Sequence, residues 1–254
     1  MHTNSNIYVW NPSTGLHKQI PLSPIDSRLD ANYLCYLYGF GYDKLRDDYL
    51  VVSVSYDTTL DGIHSRLEFF SMRDTKWKEI EGTYFPYVNN YTSNNAPRIG
   101  SLVNGALHWL TLHEDLMMDV ILAFDLTERK FLEMPVPDGF DQELEGCDLW
   151  VFGEFLSLWA VGEDIVEIWV MKEYKVHSSW TKTLVLSLDG NFIPYFSPFC
   201  TVSGDIIGTN GGTELVKYDD KGRFLEHRPY CNDPGGSQVA LYTESLLSLP
   251  SNSA

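Results

Sequence analysis

A hairpin of fixed dimensions recurs along the chain, and it constrains the fold more than any single motif does. An aromatic residue ends a short apolar strand, a polar turn follows, and a second strand closes ten residues later on an apolar side chain. Trp10 with Ile20, Phe70 with Ile80 and Phe124 with Met134 follow this rule. Pro21 and Pro135 stop two of the second strands, because proline has no N–H to donate to a ladder. A further bulky ring stands seven residues past the anchor, at Trp77 and Phe131. Trp169 with Trp180 is a copy one residue longer, and Tyr218 with Arg228-Pro229 is a weaker one. Successive anchors are 60, 54, 45 and 49 residues apart.

Upstream of three anchors lies a second hairpin with glycine at its turn: Leu102 to Trp109 around Asn104-Gly105, Phe152 to Trp159 around Gly153, and Thr201 to Ile207 around Gly204. Asn-Gly suits a two-residue turn in which both positions are left-handed. Each unit is therefore two hairpins, or four antiparallel strands, in roughly 45 to 60 residues, the length of a propeller blade. A lone blade leaves both faces wet, whereas blades set around an axis bury them. The expected fold class is all-β, a β-propeller-like array of four-stranded antiparallel blades, with a β-sandwich pair as the alternative. It forms one domain over 1–250, with units near 7–22, 35–82, 99–137, 147–188 and 196–229 and closing strands at 238–249. Residues 251–254 are expected to be a disordered tail. The unit that holds Trp10 has no first hairpin ahead of it, so the array is expected to be N-terminally incomplete.

Composition narrows the function classes. Eighteen Lys and Arg face 35 Asp and Glu, a net charge of −17, and no basic cluster is present to displace counterions from nucleic acid. No stretch approaches the ~18 uninterrupted apolar residues of a membrane span, and residues 1–6 lack the basic and apolar regions of a secretory signal. Cys35, Cys147, Cys200 and Cys231 are far apart with no Cys-x-x-Cys pair, which suits reduced thiols in an intracellular protein, in cytoplasm or nucleus, and no zinc site. No metal or cofactor is expected. Gly39-Phe40-Gly41 lacks the third glycine of a dinucleotide fingerprint, no Gly-x-Ser-x-Gly elbow occurs, and His108 beside Trp109 fits a satisfied strand imidazole.

Five blocks, in order, resemble the F-box-associated domain of plant F-box/kelch-like proteins. They are Ile7-Tyr8-Val9-Trp10-Asn11-Pro12-Ser13-Thr14-Gly15, Gly39-Phe40-Gly41-Tyr42-Asp43 with Asp47 to Val52, Val103 to Trp109, Ile121 to Leu126, and Glu167 to Tyr174 running on to Lys182. The resemblance implies a protein-binding, substrate-recognition module of an SCF-type E3 ubiquitin ligase that recruits a client protein for ubiquitination. In that family an F-box docks the adaptor-cullin scaffold. Residues 1–35 carry no Leu-rich helical run of that kind, so that partner is expected only where the full-length protein supplies an F-box.

The expected mechanism is geometric: rigid blades hold variable loops at 57–65, 86–97, 113–119 and 137–147 against the client. Tyr84, Phe85, Tyr87 and Tyr91 form the candidate hot-spot patch, while Trp10 is expected to wedge between blades. No catalytic residue is assigned and the chain is not expected to be an enzyme. Two other classes stay open. One is a propeller glycoside hydrolase using carboxylates from Asp43, Asp47, Asp48, Asp57 and Asp61 or from Asp141, Glu143, Glu145 and Asp148. The other is a non-ligase scaffold or decoy that binds clients and shields them.

Overall fold

The computed structural model describes residues 7–23, 37–59, 62–80, 86–88, 98–113, 115–140, 146–162, 165–187 and 196–233, with 236, 237, 239, 240, 242 and 244. Strands β1 (Ile7–Trp10) and β2 (His17–Ile20) form a two-stranded first sheet. The second sheet is a meander of β3 (Leu37–Asp43), β4 (Asp48–Thr59), β5 (Gly62–Ser71) and β6 (Lys76–Ile80). Next come β7 (Tyr87–Val88), β8 (Arg98–Ile99), β9 (Ser101–Val103), β10 (Ala106–His113), β11 (Met118–Asp125) and β12 (Lys130–Pro135). Of these, β7, β9, β10, β11 and β12 make the third sheet, whereas β8 adds in parallel to β3. The fourth sheet is β13 (Gly146–Phe152), β14 (Phe155–Val161), β15 (Ile165–Met171) and β16 (Trp180–Ser187), and the fifth is β17 (Phe196–Val202), β18 (Asp205–Asn210), β19 (Glu214–Tyr218) and β20 (Phe224–Pro229). One short 3-10 turn at His177–Ser179 is the sole helical element among the described residues. The expected closing strands at 238–249 lie largely outside the described residues.

The chain is all-β and its sheets are arranged as propeller blades, because alternate side chains of each strand go to different neighbours. In β11, Leu122 and Phe124 enter a core shared with the second sheet, while Ile121 and Ala123 enter one shared with the fourth. In β14, Leu156, Leu158 and Ala160 face the third sheet, and Trp159 and Val161 face the fifth. Four cores result, one between each pair of consecutive sheets. Strands wetted on neither face read as continuous apolar runs, which is why Val120 to Phe124 has no polar residue.

The recurring hairpin has a simple physical basis. Each anchor pairs directly with the residue seven positions on: Trp10 with His17, Phe70 with Trp77, and Phe124 with Phe131. The apolar residue ten positions on pairs three residues before the anchor, as Ile7 with Ile20 and Ile121 with Met134. In each case the residue five past the anchor is left-handed: Gly15 at φ 71°, Thr75 at 52° and Arg129 at 54°. A β-branched residue there costs about 1–2 kcal/mol. Thr75→Gly is therefore expected to raise the unfolding free energy by about 0.5–1 kcal/mol in urea melts, after the entropy of the freer unfolded chain is subtracted.

Two copies depart from the pairing rule: in the fifth sheet a bulge at Lys217/Tyr218 pairs Tyr218 with Phe224, six residues on. The fourth sheet carries a bulge at Ile168/Trp169, so the last paired residues are Met171 and Trp180 and the 3-10 turn fills the longer connection. Trp169 consequently pairs with Lys182 instead of ending its strand. Trp10 is no wedge: it is 62% exposed, beside Tyr8 at 53%. Every other anchor faces the preceding sheet, as Phe70 faces the first and Phe124 the second, and no described residues cover that face of the first sheet.

Glycines set the fit between the second and third sheets. A Cβ on Gly39 would stand 2.4 Å from Cδ1 of buried Leu107, and one on Gly100 would stand 2.6 Å from the Trp109 indole. The Gly39-Phe40-Gly41 run is thus an inter-blade seat.

Candidate functional site

In a meander, connections alternate between two ends. The β4–β5, β10–β11, β14–β15 and β18–β19 turns open at one end, together with the passages that leave β6, β12 and β16 for the next sheet. The remaining hairpins open at the other. Of the segments expected to meet a client, the described residues 57–59 and 62–65 (strand ends of β4 and β5), 86–88, 113, 115–119, 137–140, 146 and 147 lie at the first end.

Of the aromatic patch, Tyr84, Phe85 and Tyr91 lie outside the described residues. Tyr87 is held by β7, which joins the edge of β10 and sets Tyr87 opposite His113. Its hydroxyl donates to Glu133 Oε2 at 2.6 Å, and its ring meets the His113 imidazole edge-on at 5.1 Å. Burial, reinforced by the Glu133 carboxylate, pushes the phenol above its usual pKa. Tyr87 is half-buried against the core between the second and third sheets, so it props this end of the blade.

The same hairpin presents residues that sequence reasoning did not single out. Leu116, Met117 and Met118 are 58%, 71% and 45% exposed at the β10–β11 tip. Their signal was available: three consecutive bulky apolar residues in a turn are unusual where nothing covers them.

Beneath the tip lies Arg98, the single Lys or Arg between Lys78 and Arg129. Its Nη1 donates to Leu110 O at 2.9 Å and its Nη2 to Cys147 O at 3.4 Å, with the Asp148 carboxylate 3.4 Å from Nη1. Since β8 itself pairs with β3, this buried guanidinium joins the second, third and fourth sheets. The loops therefore stand on a cross-linked base.

Asp119 follows Met118 and is 2% exposed, with no hydrogen-bond partner for Oδ2 among the described residues. Burial raises its pKa to about 6. A raised acid favours its protonated form in the fold, so stability declines as pH rises from about 4 to 6, by about 3 kcal/mol in the limit. Asp119→Asn removes that penalty but buries an unpaired amide costing about 1 kcal/mol. The expected result is a gain of about 2 kcal/mol at pH 7.5 that vanishes by pH 4, read from urea melts across the range.

His108 has the opposite sign. It is fully buried, with Nδ1 3.1 Å from Ser101 O and Nε2 2.9 Å from the Tyr174 hydroxyl, and burial lowers its pKa to about 4. It is a satisfied core imidazole whose neutral form ties the third sheet to the fourth. Its contribution fades as pH falls from 6.5 to 4.

The carboxylates weighed for glycoside hydrolysis have structural partners where they are described. Asp43 accepts from the backbone N–H groups of Leu45 and Arg46 and pairs with both Arg46 and Arg129. Asp48 accepts from Ser71 Oγ and the Arg73 N–H, and Asp47 accepts from the Tyr42 hydroxyl. Asp61, Asp141, Glu143 and Glu145 lie outside the described residues, as does the Asp57 side chain. Among the described residues no group of three His, Cys, Asp or Glu is placed to hold a metal ion, and no helix is long and apolar enough to cross a membrane.

Comparison with known proteins agrees with the blade geometry. The family model of the F-box associated beta propeller domain matches residues 1–216. The F-box/kelch-repeat protein At3g23880 of Arabidopsis thaliana is 27% identical over 252 residues, covering 96% of this chain and 64% of that protein. F-box protein CPR1 of the same plant is 29% identical over 268 residues, with the same two coverages. The chain thus spans less than two thirds of the length of these curated relatives. Among solved structures, the beta-propeller domain of the Trilobed protease from Pyrococcus furiosus aligns at 10% identity over 81% of this chain and 85% of that one, with a TM-score of 0.29 too low to bear on the fold. The family model spans four of the five sheets and reaches into the last, and on that match the chain belongs to the F-box associated beta-propeller domain family.

Proposed function

We propose that this chain is the client-recognition part of an SCF-type E3 ubiquitin ligase and that it grips its client with the end of the propeller that carries the β10–β11 tip. The observation that carries this reading is the exposed Leu116-Met117-Met118 run on a base clamped by Arg98. Rigid support keeps the entropy cost of docking low, and bulky apolar side chains at the centre of an interface supply most of its energy. Family membership and the F-box names of the relatives support the ligase context. In this reading an F-box joined to these residues would contact the adaptor-cullin scaffold, and the sheets would contribute no chemistry of their own. Tyr87 belongs to the gripping surface, with Tyr84, Phe85 and Tyr91 proposed as its neighbours.

A photo-crosslinking amino acid at position 117, compared with one at the equally exposed Leu45 of the opposite end, tests this reading in Arabidopsis cells. Crosslinks from 117 to proteins that gain ubiquitin and accumulate under proteasome inhibition are expected. Crosslinks from position 45 alone, or to proteins whose ubiquitination ignores the chain, would refute it.

A further inference from the structure

The first sheet is half a blade. In the second, fourth and fifth sheets the anchor ring stands on the third of four consecutive antiparallel strands, whereas Trp10 stands on β1. Strands β1 and β2 thus match the outer pair, and among the described residues no strand lies on the inner side of β1. The Asn11 N–H donates to Leu16 O at 2.8 Å. By the alternation of an antiparallel ladder, the main-chain N–H and C=O of Tyr8 and Trp10 therefore point away from β2, along that open edge. The neighbouring sheet shows the same gap. Leu37, Gly39 and Gly41 of β3 face the third sheet, so Tyr38, Phe40 and Tyr42 face the first. Ile99 pairs with Tyr38 and shares this face. The outer strands are matched, since Ile7, Val9 and Ile20 pack on Val51, Phe70 and Met72, and the Trp77 indole of β6 donates to Pro21 O at 2.7 Å. Over the inner strand β3 the cover is missing. Phe40 stacks on Tyr49 with ring centroids 5.6 Å apart yet is 44% exposed, and Ile99 is 77% exposed.

The chain beyond β20 heads for this gap. The N–H groups of Tyr230 and Cys231 both donate to Thr213 O, at 2.9 and 3.1 Å, and the Ser237 N–H donates to Gly212 O at 2.7 Å. The chain therefore crosses the β18–β19 turn, at the end where β6, β12 and β16 pass to the next sheet. In a ring of blades, the sheet after the fifth is the first. Residues 238–249 contain no Pro or Gly, carry Val239, Leu241, Leu247 and Leu249 at alternate positions, and are followed by Pro250. At about 3.3 Å per residue they reach about 40 Å, enough for one long strand or two short ones. Their described members, Val239, Ala240, Tyr242 and Glu244, lie outside any strand and are exposed, so these are undocked. We propose that residues 238–249 dock along the inner side of the first sheet, bonding the main chain of Tyr8 and Trp10 and laying their alternate apolar side chains over Phe40 and Ile99. Their tether holds them at high effective concentration beside the edge, ahead of any strand from another chain. Docking widens a two-stranded sheet, which by itself is marginally stable, and closes an edge that invites aggregation. The Trp10 ring points to the opposite face and takes no part. This latch is independent of client recognition.

The test uses the whole chain and amide exchange followed by NMR. The Tyr8 and Trp10 amides are expected to exchange at least tenfold more slowly in the parent than in a variant with Leu241→Asp and Leu247→Asp. The amides of Ile121 to Phe124, in a sheet that the segment does not touch, should be unchanged, which also reports that the variant folds. Independently, a photo-crosslinking amino acid at position 40 of the parent should join to residues 238–249 of the same chain, with a yield that is unaltered by tenfold dilution. That crosslink decides the matter even if the variant proves unstable. Fast exchange at Tyr8 and Trp10 in the parent, or equal exchange in parent and variant, would overturn the inference. So would crosslinks from position 40 to a second copy, to another protein, or to residues ahead of Ile7 in place of 238–249.

Discussion

Trp109→Ala is expected to lower the unfolding free energy by about 4 kcal/mol, whereas Trp10→Ala should cost less than about 1 kcal/mol. Trp109 is 1% exposed in the core between the second and third sheets, flat against Gly100. Its Nε1 donates to Tyr38 O at 2.9 Å, and the same carbonyl accepts from the Gly100 N–H at 2.6 Å. Truncation therefore opens a cavity of indole size and removes one of the two donors from a carbonyl at the blade junction, a loss of about 3–5 kcal/mol for a buried large-to-small change. For a domain with only about 5–15 kcal/mol in hand, that is a large share. Trp109→Phe fills most of the space and forfeits the N–H, so about 1–2 kcal/mol is expected. Urea midpoints with unchanged m-values measure all three. Equal losses for Trp10→Ala and Trp109→Ala would mean that the Trp10 face is covered after all.

Asp43→Ala is the second large effect, at about 3 kcal/mol. Asp43 is fully buried where the second and third sheets meet. Arg46 reaches it at 2.9 Å and also donates to Thr127 O at 2.7 Å, while Arg129 approaches at 3.3 Å and lies 4.3 Å over the Phe69 ring. Removing the carboxylate strands the largely buried Arg129 cation and unlocks the turn after β3, and losing one member of such a pair costs about 3–5 kcal/mol. The half-exposed Arg46 argues for the lower part of that range. Burial by itself would raise the Asp43 pKa, but the hydrogen bonds from Arg46 and Arg129 outweigh it and hold the carboxyl below the usual range. A lowered acid contributes stability that is present above its unfolded pKa of about 4 and is lost as pH falls through the folded value. The gap between parent and Asp43→Ala should thus be full at pH 7 and shrink below pH 4. Arg129→Leu added to Asp43→Ala should recover part of the loss, because the stranded cation is then gone.

The blade rule was legible because a four-residue turn fixes its arithmetic. Once Phe124 and Phe131 face each other across β11 and β12, the spacing of seven and the apolar closure at ten are forced. The same arithmetic failed at Trp169, where a bulge shifts the register by one residue and aromatic spacing alone has no way to show it. It also failed for Trp10, since a ring's burial depends on the neighbouring sheet and not on its own strand. The packing role of Gly39 and Gly41 was not legible, because it needed the position of Leu107 and Leu126, which lie far along the chain. At the candidate site, the segments 57–65 and 86–97 expected as loops include strand, since β4 runs to Thr59, β5 starts at Gly62 and β7 is Tyr87–Val88. Arg98 was not identifiable, because a lone arginine between two strands gives no hint that three sheets converge on its guanidinium. Leu116-Met117-Met118 was not singled out within the candidate loop 113–119, although its apolar character was a telling signal.

Gripping by one end of the propeller is tested most directly by amide hydrogen exchange with and without a client captured by crosslinking from position 117. Slower exchange at 115–119 and 87–88 is predicted, with rates at 44–47, 73–75 and 126–129 unchanged. Protection of those opposite turns, with 115–119 exchanging as fast as in the free chain, would contradict the account.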